Sequence, residues 1–300
     1  MNNAPLKTGF VALIGAPNAG KSTLLNNILG QKISITSRRP QTTRHRILGI
    51  KTTEHSQVVY VDTPGMHLGG KKALNKYLNK TADTSLMGVD VIVWVKDDMH
   101  WDDNDISILE KLKNEGAPVV LAINKIDKID KKETLLPFIQ KISLEHDFKS
   151  IIPISALTGK QLVEFEALLL DLLPEGDLMF PKDQVTDSSE RFMTTEIIRE
   201  KLIRRLGQEI PHSLSISIDQ FNVEKNITKI YAVIWVEREG QKNIVIGDKG
   251  AGLKDIGTQA RLDLEKLLDT KVYLNLWVKV KKNWSDSERD LISLGYRGIE

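Results

Sequence analysis

Eight consecutive residues, Gly15-Ala16-Pro17-Asn18-Ala19-Gly20-Lys21-Ser22, have the types and spacing of a phosphate cradle. They match G-x-x-x-x-G-K-[ST], in which glycines let the backbone curl until successive N–H groups point inward at phosphate oxygens. A helix opening at Lys21 adds its positive end, Lys21 reaches the β/γ-phosphates, and the Ser22 hydroxyl can ligate Mg²⁺. Thr23 continues the same turn. The pattern carries weight because an apolar strand, Phe10–Ile14, runs into it and an amphipathic stretch, Lys21–Leu29, leaves it.

Three further elements follow in chain order. Asp62-Thr63-Pro64-Gly65 comes directly after the apolar run Val58–Val61. Asp62 can hold Mg²⁺ through water, and the Gly65 N–H can meet the γ-phosphate. Asn124-Lys125-Ile126-Asp127 ends the run Val119–Ile123, and its Asp127 carboxylate can accept two hydrogen bonds from guanine N1–H and the 2-amino group. Adenine offers neither in that geometry, and a site built to receive such donors rejects a base lacking them by up to ~10⁴–10⁵. Lys125 can lay its stem over the base and Asn124 can brace the loop. Ser155-Ala156-Leu157, after the strand ending at Ile154, supplies backbone N–H groups near guanine O6. This set argues for GTP and GDP and against an ATP-using metabolic kinase.

Between the phosphate loop and Asp62 lies a polar stretch, Ser34–Arg46, containing Gln41-Thr42-Thr43-Arg44. A loop here can present a threonine hydroxyl to Mg²⁺ while the γ-phosphate is present and release it after hydrolysis. Many small GTPases orient the attacking water with a glutamine just after D-x-x-G. Here that residue is Met66, which can neither orient nor deprotonate water. Slow intrinsic turnover is expected, resting on positioning, Mg²⁺, Lys21 and a further cation.

The elements that must position these residues alternate in a regular way. Apolar strands at Phe10–Ile14, Ile47–Thr52, Val58–Val61, Val89–Val95, Val119–Ile123 and Ile151–Ile154 are interspersed with amphipathic stretches near Lys21–Leu29, Lys72–Leu86, Asn104–Asn114, Lys132–His146 and Gln161–Leu173. Near-continuous Val/Ile runs belong to strands buried on both faces, so the reading is an α/β domain over 1–173 with a doubly wound, mostly parallel sheet. Ile47–Thr52 and Val58–Val61 are close enough to form a hairpin.

Pro174–Ser189, rich in Pro, Gly, Asp and Ser, reads as a linker. Over 190–283 the pattern changes to a helix (about Glu190–Leu206), two strands alternating with period two, a Gly-rich turn, a helix with Leu253, Ile256, Ala260, Leu264 and Leu267 on one stripe, and a last alternating strand, Val272–Val280. One polar face per strand predicts an antiparallel sheet covered on one side, in a smaller α+β domain. Residues 284–300 read as a C-terminal tail. Gly247-Asp248-Lys249-Gly250 follows Ile244-Val245-Ile246 and opens a helix, as a GxxG loop does when it clamps the backbone of single-stranded nucleic acid. Basic residues Arg199, Lys201, Arg204, Arg205, Lys279, Lys281 and Lys282 could line such a path.

Bulk composition narrows the field without choosing. The 300 residues suit two domains, and the net charge is only +2. Residues 191–300 hold 19 Lys+Arg against 16 Asp+Glu, a slight basic excess. There is no cysteine, which removes disulfides, thiolate zinc sites and cysteine nucleophiles and fits a reducing, cytoplasmic setting. No apolar run approaches transmembrane length, and no secretory leader pattern is seen.

The phosphate loop with Thr23, Gln41-Thr42-Thr43-Arg44-His45, Asp62–Gly65 and Asn124–Asp127 are joined by Arg191-Phe192, Glu196–Lys201, Glu209-Ile210-Pro211-His212-Ser213 and the GxxG loop. With these segments the chain resembles the bacterial Era-like GTPases of small-ribosomal-subunit assembly over nearly its whole length. The resemblance implies a P-loop GTPase domain and a type II KH domain that binds the 3′ end of 16S ribosomal RNA on the 30S subunit under GTP control. It also implies Thr43, in place of Thr42, as the switch ligand of Mg²⁺ beside Ser22 and Asp62. Lys21, Thr43 and Gly65 would be the catalytic set, with K⁺ held near Asn18. Ile246, Gly247, Asp248, Lys249, Gly250 and Lys254 are the expected RNA contacts. Met66 fits the family's hydrophobic replacement of the glutamine. Peripheral inner-membrane attachment is attributed to the family, and a monomer is expected. The residues themselves leave a rival class open, a GTP-regulated adaptor whose second domain binds a protein or a membrane surface.

Overall fold

The computed structural model describes residues 6–37, 39–66, 72–129, 132–206 and 214–296. Two compact units are separated by contact density: Met1–Ser34, Thr43–Gly69 and Leu78–Asp187 form the first, and Ile35–Thr42, Gly70–Tyr77 and Ser188–Glu300 the second.

In the first unit, β1 (Lys7–Ile14), β2 (Ile47–Thr52), β3 (Ser56–Asp62), β4 (Val91–Lys96), β5 (Val119–Ile123) and β6 (Ser150–Pro153) make one sheet in the order β2-β3-β1-β4-β5-β6. The β2–β3 pair is the antiparallel hairpin, and every other pairing is parallel. β3, β4 and β5 are buried at every position, which is why their sequences run Val/Ile without polar alternation. Strand order reverses at β1, whose neighbours are β3 and β4, so the crevice at its carboxyl end is where a ligand belongs in this architecture. Helices α1 (Lys21–Leu29), α2 (Ala73–Thr84), α3 (Asp103–Leu112), α4 (Leu135–Ile142) and α5 (Leu162–Leu172) complete the α/β alternation. α4 is shorter than its periodicity suggests. A 3₁₀ turn covers Lys132–Thr134, and the α-helix opens just ahead of Pro137, whose missing N–H is tolerated only in a first turn.

The Pro/Gly-rich stretch after α5 is bonded to the sheet. The carbonyl of Pro174 accepts from the Thr8 N–H at 3.0 Å, and that of Val185 from the Ile50 N–H of β2 at 2.7 Å. Fully buried Gln57 holds Phe180 from both sides, accepting from its N–H at 2.9 Å and donating to its carbonyl at 2.9 Å. A segment that reads as linker thus covers the exposed edge of β2, where unpaired backbone groups would otherwise invite another strand.

The second unit contains α6 (Glu190–Arg205), β7 (Leu214–Glu224), β8 (Ile227–Val236), α7 (Glu239–Ile246), α8 (Ala251–Leu268), β9 (Lys271–Val280) and α9 (Glu288–Ser293). Its α+β class is as expected, but the sheet is mixed: β7–β8 is antiparallel and β8–β9 is parallel. The correction has a topological cause. β8 and β9 are joined by two helices, a crossover that returns the chain to the same end of the sheet. The first of these, α7, occupies the Ile244–Ile246 run that resembles a strand. The Gln241 side chain accepts from the N–H groups of Glu237 (2.8 Å) and Arg238 (3.0 Å), fixing that helix start.

The residues after β9 also fold back. Trp284 has no exposed surface and stacks at 6.1 Å on Tyr296, while Glu237 Oε1 accepts from Ser285 Oγ at 2.6 Å. Trp284→Ala should therefore destabilise the second unit by about 3–5 kcal/mol in urea unfolding. A dangling tail would lose nothing.

Candidate functional site

The carboxyl ends of β1, β3, β5 and β6 carry the four sequence-predicted nucleotide elements to one edge of the first unit. The phosphate loop needs its glycines. Gly15 has φ 139° and a Cβ there would lie 2.2 Å from the Val95 carbonyl oxygen. Gly20, at φ 101°, would strike Asn124 Nδ2 at 2.2 Å. Asn18 also takes the left-handed conformation, at φ 66°, between Pro17 and buried Ala19. Lys21 folds over the loop and donates to the carbonyls of Gly15 (3.0 Å) and Ala16 (2.9 Å). Burial lowers its pKa to about 8, opposed by the charges of Asp62 and Asp97.

Three hydroxyl and carboxylate groups converge beside that lysine. Ser22 Oγ donates to Asp62 Oδ2 at 2.6 Å and lies 2.9 Å from Thr43 Oγ1. Thr42 is turned away, donating to the Arg39 carbonyl at 2.6 Å and bonded to Ser37. Asp62 is wholly buried, and burial pushes its carboxyl pKa up against hydrogen bonds from Ser22 and Ser34 and the charge of Lys21. Its Oδ1 has no hydrogen-bond partner within the protein. A buried carboxylate oxygen without a partner, flanked by two hydroxyls, fits a hard divalent cation with oxygen ligands, so the residues present suit Mg²⁺.

Gly65 lies so close to the phosphate loop that a Cβ would sit 2.7 Å from Pro17 Cα, and the Met66 N–H donates to the Gly15 carbonyl at 3.1 Å. Thr63, next to Pro64, is anchored by its hydroxyl on the Leu13 carbonyl at 2.8 Å. The Met66 side chain is buried with Ala12, Ile14 and Trp94 in the core. A thioether held in the core cannot orient or deprotonate water, so this position carries no equivalent of the glutamine.

The corner expected to read the base is tightly tied. Asn124 donates to the Ala19 carbonyl and accepts from the Ala156 N–H, both at 2.8 Å, joining the phosphate loop to the loop after β6. Lys125, at φ 64°, donates to the Asn18 carbonyl at 2.9 Å and pairs with Asp97. Asp127 is exposed, with one oxygen held by Ser155 Oγ at 2.6 Å. Sequence reading misses two supporting residues. Ser34 donates to Asp62 Oδ2 at 2.8 Å, and Asn26 shapes the switch entry by accepting from the Ile33 and Ser34 N–H groups at 3.0 and 2.9 Å. Their only sequence signal is location, one turn into α1 and just past its end.

The switch loop is divided between the units. Ile35–Thr42 belongs to the second, where the Thr36 N–H donates to Glu200 Oε1 at 3.1 Å and Arg204 donates to the Thr36 carbonyl at 3.1 Å. Thr43, the next residue, belongs to the first.

In the second unit the GxxG loop is a tight 3₁₀ turn, Asp248–Gly250, running into α8. Gly247 adopts φ 72°, ψ 178°, and a Cβ there would come within 2.8 Å of the Gly252 nitrogen. Asp248, Lys249 and Lys254 are exposed, Ile246 packs on the core, and no side chain caps α8 at Gly250. The proposed basic path is corrected. Arg199 and Lys201 are buried in ion pairs with Glu196 and Asp263, while Arg204, Arg205 and Lys281 pair with Glu200, Asp255 and Asp290. Glu209–Ser213 lies outside the described residues.

A phosphate loop at the switch point of a doubly wound sheet, with a guanine-reading corner, followed by a GxxG unit, defines a P-loop GTPase with an appended KH domain. Residues 10–125 match the family described as 50S ribosome-binding GTPase and residues 209–285 the KH domain. GTPase Era of Marinobacter nauticus is 53% identical over 98% of this chain and 96% of that protein, and GTPase Era of Histophilus somni is 55% identical over 96% of each. Among solved structures, Era in complex with MgGDPNP and nucleotides 1506–1542 of 16S ribosomal RNA superposes with a TM-score of 0.94 at 40% identity, covering 97% of this chain and 99% of that one. A point variant of Aquifex aeolicus Era bound to GDP·AlF₄⁻ gives the same figures. The chain belongs to the Era family of GTPases, and it is a GTP hydrolase.

Proposed function

We propose that this chain is a GTP-controlled RNA binder that engages the 3′ end of 16S ribosomal RNA during maturation of the 30S subunit. The observation that carries this is the presence, in one chain, of the guanine-site motifs and a GxxG turn that opens α8 with exposed Lys249, in the same chain order as in the Era bound to 16S nucleotides. Lys21 and the backbone N–H groups of Asn18–Thr23 hold the phosphates, Asp127 reads the base, and Gly65 meets the γ-phosphate. Ser22, Thr43 and Asp62 hold Mg²⁺, which neutralises charge building on the β/γ oxygens when bound. Release of Thr43 after hydrolysis is transmitted through the peptide bond to Thr42 and so to the Thr36 contacts with Glu200 and Arg204 on α6.

Binding of an oligonucleotide from the 3′ end of 16S ribosomal RNA, with GDP or a non-hydrolysable GTP analogue, tests the reading. Affinity should depend on the nucleotide and fall steeply with salt, because phosphate contacts release counterions. Binding that ignores both overturns it in favour of a protein or membrane adaptor. Among the described residues no helix is long and apolar enough to cross a membrane; the reading includes a peripheral inner-membrane attachment, which vesicle co-sedimentation checks. The same reading takes the chain as a monomer, which light scattering checks.

The further cation is K⁺. Asn18 sits in the phosphate loop with its carbonyl fixed by Lys125, and its side-chain amide oxygen would hold a monovalent ion where other GTPases insert an arginine. GTP turnover should be roughly tenfold faster in KCl than in NaCl at equal ionic strength, a modest share of what an arginine finger supplies. Equal rates in both salts would sink this assignment.

A further inference from the structure

The GxxG loop lies between α7 and α8, and the face of the three-stranded sheet turned away from the core has a different character. Strand register places Ser215, Ser217, Gln220 and Asn222 of β7, Lys229, Tyr231, Val233 and Trp235 of β8, and Lys271, Tyr273, Asn275, Trp277 and Lys279 of β9 on this face. The opposite face, with Ile230, Ala232, Ile234 and Val236, forms the core. Four aromatic rings on one open sheet face call for an explanation, since packing within the unit already uses the other face.

The rings lie across the sheet. Trp235 Nε1 reaches over to β7 and donates to Ser217 Oγ at 2.9 Å. Tyr231 lies 5.9 Å from Trp277 with ring planes 15° apart, and 5.8 Å from Tyr273. Val233, in the middle of this outward face, has no exposed surface. Yet Tyr273 and Trp277 remain 45% and 44% exposed. Glu224 is neutralised by Lys229 at 2.8 Å. Two lysines not in that pair, Lys271 and Lys279, share the face, with Lys279 Nζ 5.8 Å from the Trp235 ring. The Val272 N–H lowers the Glu265 carboxyl pKa, and Lys271 is close enough for its charge to add to that effect.

Flat rings, amide side chains at Asn222 and Asn275, and ammonium groups at the margins are the chemistry that receives unpaired bases joined by phosphates. The ammonium groups beside the rings match the phosphates that link successive bases. We propose that the outward β7–β8–β9 face is a second surface for single-stranded RNA, with bases stacking on Tyr273 and Trp277 and phosphates held by Lys271 and Lys279. It acts apart from the GxxG loop and extends the RNA-binding reading.

The test uses the full chain and a fluorescently labelled single-stranded RNA of about twenty nucleotides, long enough to span several stacking sites. Tyr273→Ala with Trp277→Ala should weaken binding about 10–100-fold, the cost of losing one or two base–ring stacks, with circular dichroism unchanged. Trp277→Phe, which keeps a ring, should stay within about threefold of wild type. RNA should still quench Trp277 fluorescence when Lys249→Glu and Gly250→Asp disable the GxxG loop. An alanine pair that binds RNA as wild type does would overturn the proposal while leaving the GxxG reading intact. So would loss of binding to phosphatidylglycerol vesicles with RNA binding unchanged, which would assign the face to a membrane. Wild-type protein that binds no RNA would remove both readings.

Discussion

Asp127→Asn should turn the preference of this chain from GTP to XTP, with GTP affinity falling about a thousandfold. The carboxylate is exposed at the mouth of the corner, and Ser155 Oγ holds its Oδ1 at 2.6 Å. Asn124 fixes the backbone on either side by bridging Ala19 and Ala156. The proposed role, accepting from N1–H and the 2-amino group of guanine, needs a carboxylate held in place in this way. Asparagine in its place presents one acceptor and one donor. The donor faces the guanine 2-amino group, so two donors oppose each other in a desolvated site. Xanthine carries a carbonyl at that position and completes the pair. Competition of GTP and XTP against labelled GDP measures the change. Unaltered GTP affinity without any gain for XTP would show that Asp127 does not read the base.

The parts of this molecule that are legible in its sequence are those with local causes. The phosphate loop is a run of residues dictated by backbone conformation, and β3, β4 and β5 announce themselves because burial on both faces leaves no room for polar alternation. What escapes the sequence depends on distant partners. Arg199 and Lys201 look like surface cations, but Glu196 and Asp263 neutralise them in the interior of the second unit. The Pro174–Val185 stretch has linker composition, and only the buried Gln57 and the outward N–H of Ile50 on β2 reveal what it covers. Ile244-Val245-Ile246 has strand propensity, and tertiary context with the Gln241 cap makes it helix. The period-two alternation of β8 and β9 suggests antiparallel pairing, but the helical crossover between them makes them parallel. Ser34 could be recognised as a partner of Asp62 only after the switch loop had been placed.

Lys249→Glu with Gly250→Asp should lower affinity for single-stranded RNA about a hundredfold at low salt, because it removes one cation and brings two anions to the phosphates. The choice of positions matters. Lys249 is exposed, and Gly250, at φ 82°, has open space where a side chain would stand. Aspartate tolerates that left-handed conformation better than most residues, so the melting temperature should fall by only a few degrees. Gly247→Asp is a different experiment. At φ 72°, ψ 178° the backbone is in a region open essentially to glycine, and the new Cβ would meet the Gly252 nitrogen at 2.8 Å. That variant should lose RNA binding together with stability, as the start of α8 is pushed aside. GTP hydrolysis should survive in the Lys249/Gly250 pair, since the nucleotide motifs lie within residues 15–156. Filter binding, thermal melts and phosphate release therefore separate three causes: charge, fold and nucleotide chemistry. A folded Lys249/Gly250 variant that still binds RNA as wild type does would make the GxxG loop a structural turn and leave the RNA contacts to another surface, such as the outward β7–β8–β9 face.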